Sequence, residues 1–212
     1  MSQHKEIKYH SPPNLGWLEY KLNSKEMDYL WRCIENRKEE NNDKLAGNIS
    51  KSYELMDRGD WFFISVIDPL LRAYDNSYGN LGRRLPITTH HPYYMARWWV
   101  NYQKQNEFNP SHNHSGIYSF VIWMKIPTTY EKQRKLPIAA QSNSGVISNF
   151  EFHYLDIVGK MSNYVYEMSP DCEGTMLFFP AELKHQVYPF YECDEDRITI
   201  AGNILIDTSR KA

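Results

Sequence analysis

The chain has 212 residues, 42% hydrophobic and 15% aromatic, with a formal net charge of −2. Such a composition buries a core and excludes a disordered chain, and no long run of one charge marks a nucleic-acid or membrane surface. Cys33, Cys172 and Cys193 lack C-x-x-C spacing, and MSQHKEIKYHSPP has no apolar leader, so reduced thiols in a soluble, cytoplasmic protein are expected. The length suits one domain over 1–212, with an arm and helical part at 1–92 and a strand-rich part at 93–212.

Met1 to Asn23 reads as an extended arm with turns at Pro12-Pro13 and Asn14-Leu15-Gly16. Asn23 is placed to cap a helix, with Glu26 at the reciprocal position of a capping box. Met27, Leu30, Trp31 and Ile34 then recur at helical spacing and form one apolar stripe. The polar run Arg37 to Lys44 ends that helix, and Leu45 to Leu55 reads as a loop or short turn. A second helix is expected from about Asp60, with Phe62, Phe63, Val66, Ile67, Leu70, Leu71 and Tyr74 on its apolar face. Pro69 lies inside the pattern and predicts a kink near Asp68. Asp75 to Pro92 reads as an exposed connection. His90 and His91 fall there as neighbours, which on an extended chain point to opposite faces.

From Tyr93 the chain turns to strands. Tyr94–Gln103 alternates, with Trp98, Val100 and Tyr102 on one face and Trp99, Asn101 and Gln103 on the other. Ile117–Ile126 is strongly apolar, Val146–Asp156 alternates, Thr175–Pro180 reads as a buried strand, and Arg197–Asp207 is the last strand. Pro127–Ser144 is polar and reads as a long loop, a candidate lid. Helices followed by a run of strands predict a mainly β sandwich or open barrel with the N-terminal helices packed outside.

Phe108–Pro127, FNPSHNHSGIYSFVIWMKIP, concentrates the chemistry. His112 and His114 stand at i and i+2, so on an extended segment both imidazoles aim at one point, and the apolar run behind them anchors that point in a core. Imidazole suits Fe, Zn, Cu and Ni. His185 follows the buried strand Thr175–Pro180 and is a candidate third ligand. Arg197 opens the last strand, with Thr199 on the same face. A guanidinium in an apolar barrel needs a carboxylate, from a ligand or from the protein, and Asp194, Glu195 and Asp196 are the neighbouring protein candidates.

The segments HNH (112–114), LFFPAELKHQVYPFY (177–191) and DRITIAGN (196–203) together resemble the Fe(II)/2-oxoglutarate-dependent dioxygenase superfamily. LAGNI (45–49) and YSFVIWMKIP (118–127) are similar to its phage-type branch, found in cyanophages and marine bacteria. The resemblance spans about Leu45 to Asn203. It implies a double-stranded β-helix, that is, a jelly-roll or cupin-like barrel. It further implies that His112 and His185 are metal ligands and that Arg197 and Thr199 hold the far carboxylate of 2-oxoglutarate. Asn101 and Gln103 would line the same pocket as cosubstrate-binding residues. The implied activity is a hydroxylase using Fe(II), 2-oxoglutarate and O2 on a small-molecule or peptidyl substrate, in the host cytoplasm if the chain is phage-encoded. Neither a membrane nor nucleic acid is indicated as a partner, and a homodimer is left open.

One position departs from the pattern. Most of the superfamily has HxD or HxE, and this chain has His114 where the carboxylate belongs. Either His114 is a third imidazole ligand, or Asp156 or Glu151 supplies the carboxylate, or the site binds metal without turnover. Two rival readings follow: a catalytically silent jelly-roll binding or assembly module, and a three-histidine dioxygenase that does not use 2-oxoglutarate.

Overall fold

Two antiparallel sheets carry the chain's long apolar strands, and a layer of helices covers one of them. The computed structural model describes residues 8–37 and 47–210. In chain order the strands are β1 (Leu18–Lys21), β2 (Lys51–Glu54), β3 (Tyr93–Gln103), β4 (Asn109–His112), β5 (Tyr118–Lys125), β6 (Phe150–Leu155), β7 (Met161–Tyr166), β8 (Thr175–Pro180), β9 (His185–Val187) and β10 (Arg197–Ile206). The helices are α1 (Ser24–Glu35), α2 (Asp68–Tyr78), α3 (Tyr130–Arg134) and α4 (Pro137–Ala140). The major sheet runs β1-β8-β5-β10-β3-β2 and the minor sheet β4-β9-β6-β7. This is the mainly β, jelly-roll architecture expected.

The major sheet is buried on both faces, which is why β5 and β8 read as almost continuous apolar runs. Trp98, Val100, Phe120, Ile122, Phe178 and Ile200 face outward and pack with Leu30 and Ile34 of α1 and Leu70, Leu71 and Tyr74 of α2. The opposite face presents Trp123, Leu177 and Phe179 to Phe150 and Phe152 of β6. Gly202 makes the helix-side packing possible: a Cβ there would lie 2.5 Å from the Phe120 ring and 2.8 Å from Trp98 Cβ.

The first helix starts as its sequence dictates. Asn23 accepts from Glu26 N–H, and the Glu26 carboxylate accepts from Asn23 N–H, closing the capping box. The expected break near Asp68 takes the form of a π turn over Phe63–Ile67, with Asp68 N–H bonded to Phe63 O. Pro69 then falls in the first turn of α2, where its missing N–H costs nothing.

Four expectations are corrected. Pro127–Ser144 is not a long loop: it holds α3 and α4, and buried Gln133 is tied to the backbone of Tyr191 in both directions. Helices of four and five residues are too short to show a period in the sequence. Leu45–Leu55 contains the edge strand β2, and the arm before Asn23 contains β1, paired with β8. Asp75–Pro92 begins with the last turn of α2 and includes a 3-10 turn over Leu81–Arg84. Part of the polar run after Arg37, and Leu45 and Ala46, lie outside the described residues. Among the described residues no helix is long and apolar enough to cross a membrane.

Candidate metal and cosubstrate site

His112 ends β4 and His185 opens β9, and the two are direct cross-strand partners. His114 lies two residues beyond His112, and its N–H bonds to Ala181 O at 2.9 Å, which fixes it over the same point. The ligand atoms of the three imidazoles all lie within 4.8 Å of one another. His114 Nε2 and His185 Nε2 are 3.2 Å apart. His112 Nδ1 donates to Pro110 O at 2.7 Å and His185 Nδ1 to Leu183 O at 2.9 Å. Those bonds hold the proton on Nδ1 and leave the Nε2 lone pairs for the shared point, the usual way an outer carbonyl sets a metal ligand's tautomer.

Burial keeps all three rings uncharged at neutral pH. Desolvation lowers the pKa of His112, takes His114 to about 4, and pushes His185 well below the ordinary imidazole value. Phe150 and Phe179 pack on the His185 ring, and Trp99 lies beside His114. Neutral imidazoles converging in a dry pocket are a donor set that fits ferrous iron.

The same cavity, about 360 Å³, reaches Arg197 and is lined by Asn101, Gln103, Thr199, Trp123 and Phe150. Arg197 is only 1% exposed. Its Nη2 donates to Ser148 O at 2.7 Å, and Ser148 holds a left-handed backbone conformation at φ 61°. Nε and Nη1 have no hydrogen-bond partner, and the group lies over the Phe190 ring. Of the three acids named from the sequence, Glu195 is paired with Lys125 and Asp194 with Gln105, and Asp196 does not reach Arg197 Nε or Nη1. Desolvation lowers the Arg197 pKa to about 10, which leaves the cation intact at neutral pH. A buried cation with two unused donors costs several kcal/mol, on the order of what an incoming carboxylate returns, so the pocket floor fits a carboxylate ligand.

Register orders the rest of the pocket. Arg197 stands opposite Gln103, Thr199 opposite Asn101, and Ala201 opposite Trp99. Asn101 and Gln103 therefore face the cavity, as the family resemblance implied; the alternation of β3 by itself was equally open to a solvent face. Gln103 Nε2 is bonded to Glu107 O, whereas Asn101 Oδ1 is buried without a partner. The Trp99 indole N–H is also buried and unpartnered. Its place in the Asn101 and Gln103 face was readable, but its unsatisfied donor was not.

Two carboxylates considered from sequence lie apart from the imidazoles. Asp156 sits in the turn between β6 and β7, where Oδ1 accepts from Val158 N–H and Lys160 N–H. Glu151 is buried, but it accepts from Gln186, Tyr188, His153 and Asn163. Among the described residues, the group able to hold a metal ion is His112, His114 and His185. His91 is occupied by Thr89 and Arg210 O.

Comparison with known proteins agrees with this geometry. A family model described as "Putative 2OG-Fe(II) oxygenase" matches residues 97–203. No curated protein matches the sequence. Among solved structures, a 2OG-Fe(II) oxygenase family oxidoreductase from Burkholderia pseudomallei superposes with a TM-score of 0.54 at 12% identity, covering 86% of this chain and 80% of that one. A Pseudomonas putida prolyl-4-hydroxylase gives 0.52 at 14% identity, covering 91% and 94%. SnoN, a non-heme alpha ketoglutarate dependent epimerase from nogalamycin biosynthesis, gives 0.51 at 11%, covering 91% and 78%. At these identities the structural likeness is one of fold. The family match spans all three imidazoles and Arg197, and by it the chain belongs to the 2OG-Fe(II) oxygenase family.

Proposed function

We propose that the protein is an Fe(II)- and 2-oxoglutarate-dependent hydroxylase of a small-molecule or peptidyl substrate. The observation that carries this reading is a single cavity with three neutral imidazoles at one place and, at another, a buried guanidinium two of whose nitrogens have no partner. When bound, ferrous iron would let O2 act as the oxidant, with 2-oxoglutarate giving up two electrons as it is converted to succinate and carbon dioxide and one oxygen atom passing to a C–H bond. The chain's own residues bind and orient. His112, His114 and His185 offer Nε2 lone pairs. Arg197 offers the unpartnered donors on Nε and Nη1 to carboxylate oxygens, and the Thr199 hydroxyl adds another. Asn101 and Gln103 line the wall, and Trp123, Phe150 and Phe179 keep water out.

We infer too that the chain falls in the phage-type branch, a reading supported by the segments at 45–49 and 118–127. His114, in place of a carboxylate, favours one second reading, a three-histidine dioxygenase that does not use 2-oxoglutarate. An anaerobic titration with Fe(II) and then 2-oxoglutarate separates the two. The hydroxylase develops the visible charge-transfer band of the chelated cosubstrate, and His185→Ala abolishes both iron binding and the band. Iron binding without a band overturns the cosubstrate assignment and leaves the three-histidine reading. Binding of neither leaves a silent jelly-roll module.

A further inference from the structure

Glu151 lies on the outer face of the minor sheet, the face opposite the imidazoles. Phe150 and Phe152 flank it in β6 and point into the core, so by strand parity Glu151 and His153 point away from it. An acid on an outer face is ordinarily solvated, yet Glu151 is 1% exposed. Its carboxylate is fully engaged. Oε1 accepts from Gln186 Nε2 at 2.5 Å, His153 Nε2 at 2.7 Å and the Tyr188 hydroxyl at 3.0 Å. Oε2 accepts from Asn163 Nδ2 at 3.2 Å. His153 Nδ1 in turn meets Ser111 Oγ at 3.2 Å.

These partners come from every strand of the minor sheet: Ser111 from β4, Gln186 from β9, His153 from β6 and Asn163 from β7. Two of them have a special address. Ser111 immediately precedes His112, and Gln186 immediately follows His185. A side chain held on one face of a strand fixes the backbone from which its neighbour projects on the other face.

The backbone holds β9 against β6 through Phe150↔Val187, Glu151↔Gln186 and Phe152↔His185, but it holds β4 against β9 weakly. β9 has three residues and β4 has four. Their pairing consists of Asn109↔Val187 and His112↔His185, with a register irregularity between them. Two strands that bear converging ligands are thus joined by a short, bulged ladder, where small shifts of the backbone are cheap.

We propose that Glu151 is a positioning residue for the imidazole cluster: a buried carboxylate clamp that locks β4 and β9 in register from the outer face. It touches neither metal nor cosubstrate, and it acts through Ser111 and Gln186 on the backbone of His112 and His185. The inference rests on the metal-site reading above. Removing the clamp deprives three partly buried donors, on Gln186, His153 and Tyr188, of their acceptor and loosens the two ligand strands. The cluster then loses the preorganisation that metal affinity requires, by an amount comparable to the loss of an outer partner.

Cobalt(II) titration of the full chain, followed by its visible absorption bands, tests this directly. Glu151→Gln keeps the shape but turns an amide donor toward Gln186 or Asn163. It is expected to bind cobalt roughly tenfold more weakly than wild type, with altered bands. Ser111→Ala, an exposed hydroxyl whose loss cannot unfold the barrel, cuts the link to β4 and is expected to weaken binding roughly threefold, the net worth of one hydrogen bond. Tyr188→Phe removes a Glu151 partner that is not adjacent to a ligand. It should lower the melting temperature while leaving affinity and bands at wild-type values. Cobalt binding by Glu151→Gln and Ser111→Ala that matches wild type in affinity and bands overturns the clamp while the metal site stands. A wild-type chain that binds no cobalt overturns both readings.

Discussion

The two sheets divide the labour of the molecule unequally. The major sheet is built on the long strands β3, β5 and β10, whose ladders shift register at Ile198/Thr199 and Asn203/Ile204, and it has a helical layer on its outer face and aromatic side chains on both faces. The minor sheet has short strands, a bulged β4–β9 pairing, and both His112 and His185. Hydrophobic area is concentrated on the major sheet, and two of the three clustered imidazoles stand on the short strands of the minor one. Arg197 crosses this divide: it is anchored in β10 of the major sheet, yet it reaches into the cavity that the histidines share.

Substitutions on either side sharpen that contrast. The largest stability effect belongs to the major sheet. Phe178→Ala deletes a fully buried ring between α2 and β5 and should cost about 3–5 kcal/mol in chemical denaturation. Metal stoichiometry should survive wherever the variant is folded, and loss of metal binding in a folded Phe178→Ala would break the division. Arg197→Met tests the bridge between the sheets. Its 2-oxoglutarate affinity should fall roughly a hundredfold, on the order of losing a charged pair of hydrogen bonds, while iron affinity stays within about threefold. Equal losses of both ligands would contradict its assigned place. The smallest effect lies furthest from the site. Asn23→Ala removes the α1 cap and should cost about 1 kcal/mol in thermal or denaturant unfolding, with metal and cosubstrate binding unchanged.

What could be read from the sequence follows the same divide. The long strands announced themselves because burial on both faces makes a run apolar, as in β5 and β8. The capping box at Asn23 and the break at Pro69 were legible because each depends on residues within a few positions. His112 and His114 were legible as a pair because period two is built into an extended chain. Strands β4, β7 and β9 were not, since three to six partly exposed residues carry too little pattern. Parity did place Glu151 opposite Phe150 and Phe152, but its burial depends on partners from other strands and could not be read locally. The unsatisfied donors of Arg197 and Trp99 are likewise facts of three-dimensional packing.

One feature of the pocket bears on how the protein must be handled. Its histidines bring no negative charge, and Arg197 adds a positive one. A divalent ion seated there has no protein carboxylate to offset it, so the cavity becomes a trap for anions that deepens as metal is loaded. Metal and dianion should therefore strengthen each other's binding, by linkage. Buffer composition becomes an experimental variable in its own right: phosphate, sulfate or chloride at high concentration will compete for the cavity, and measurements made in them will understate affinity for any carboxylate ligand.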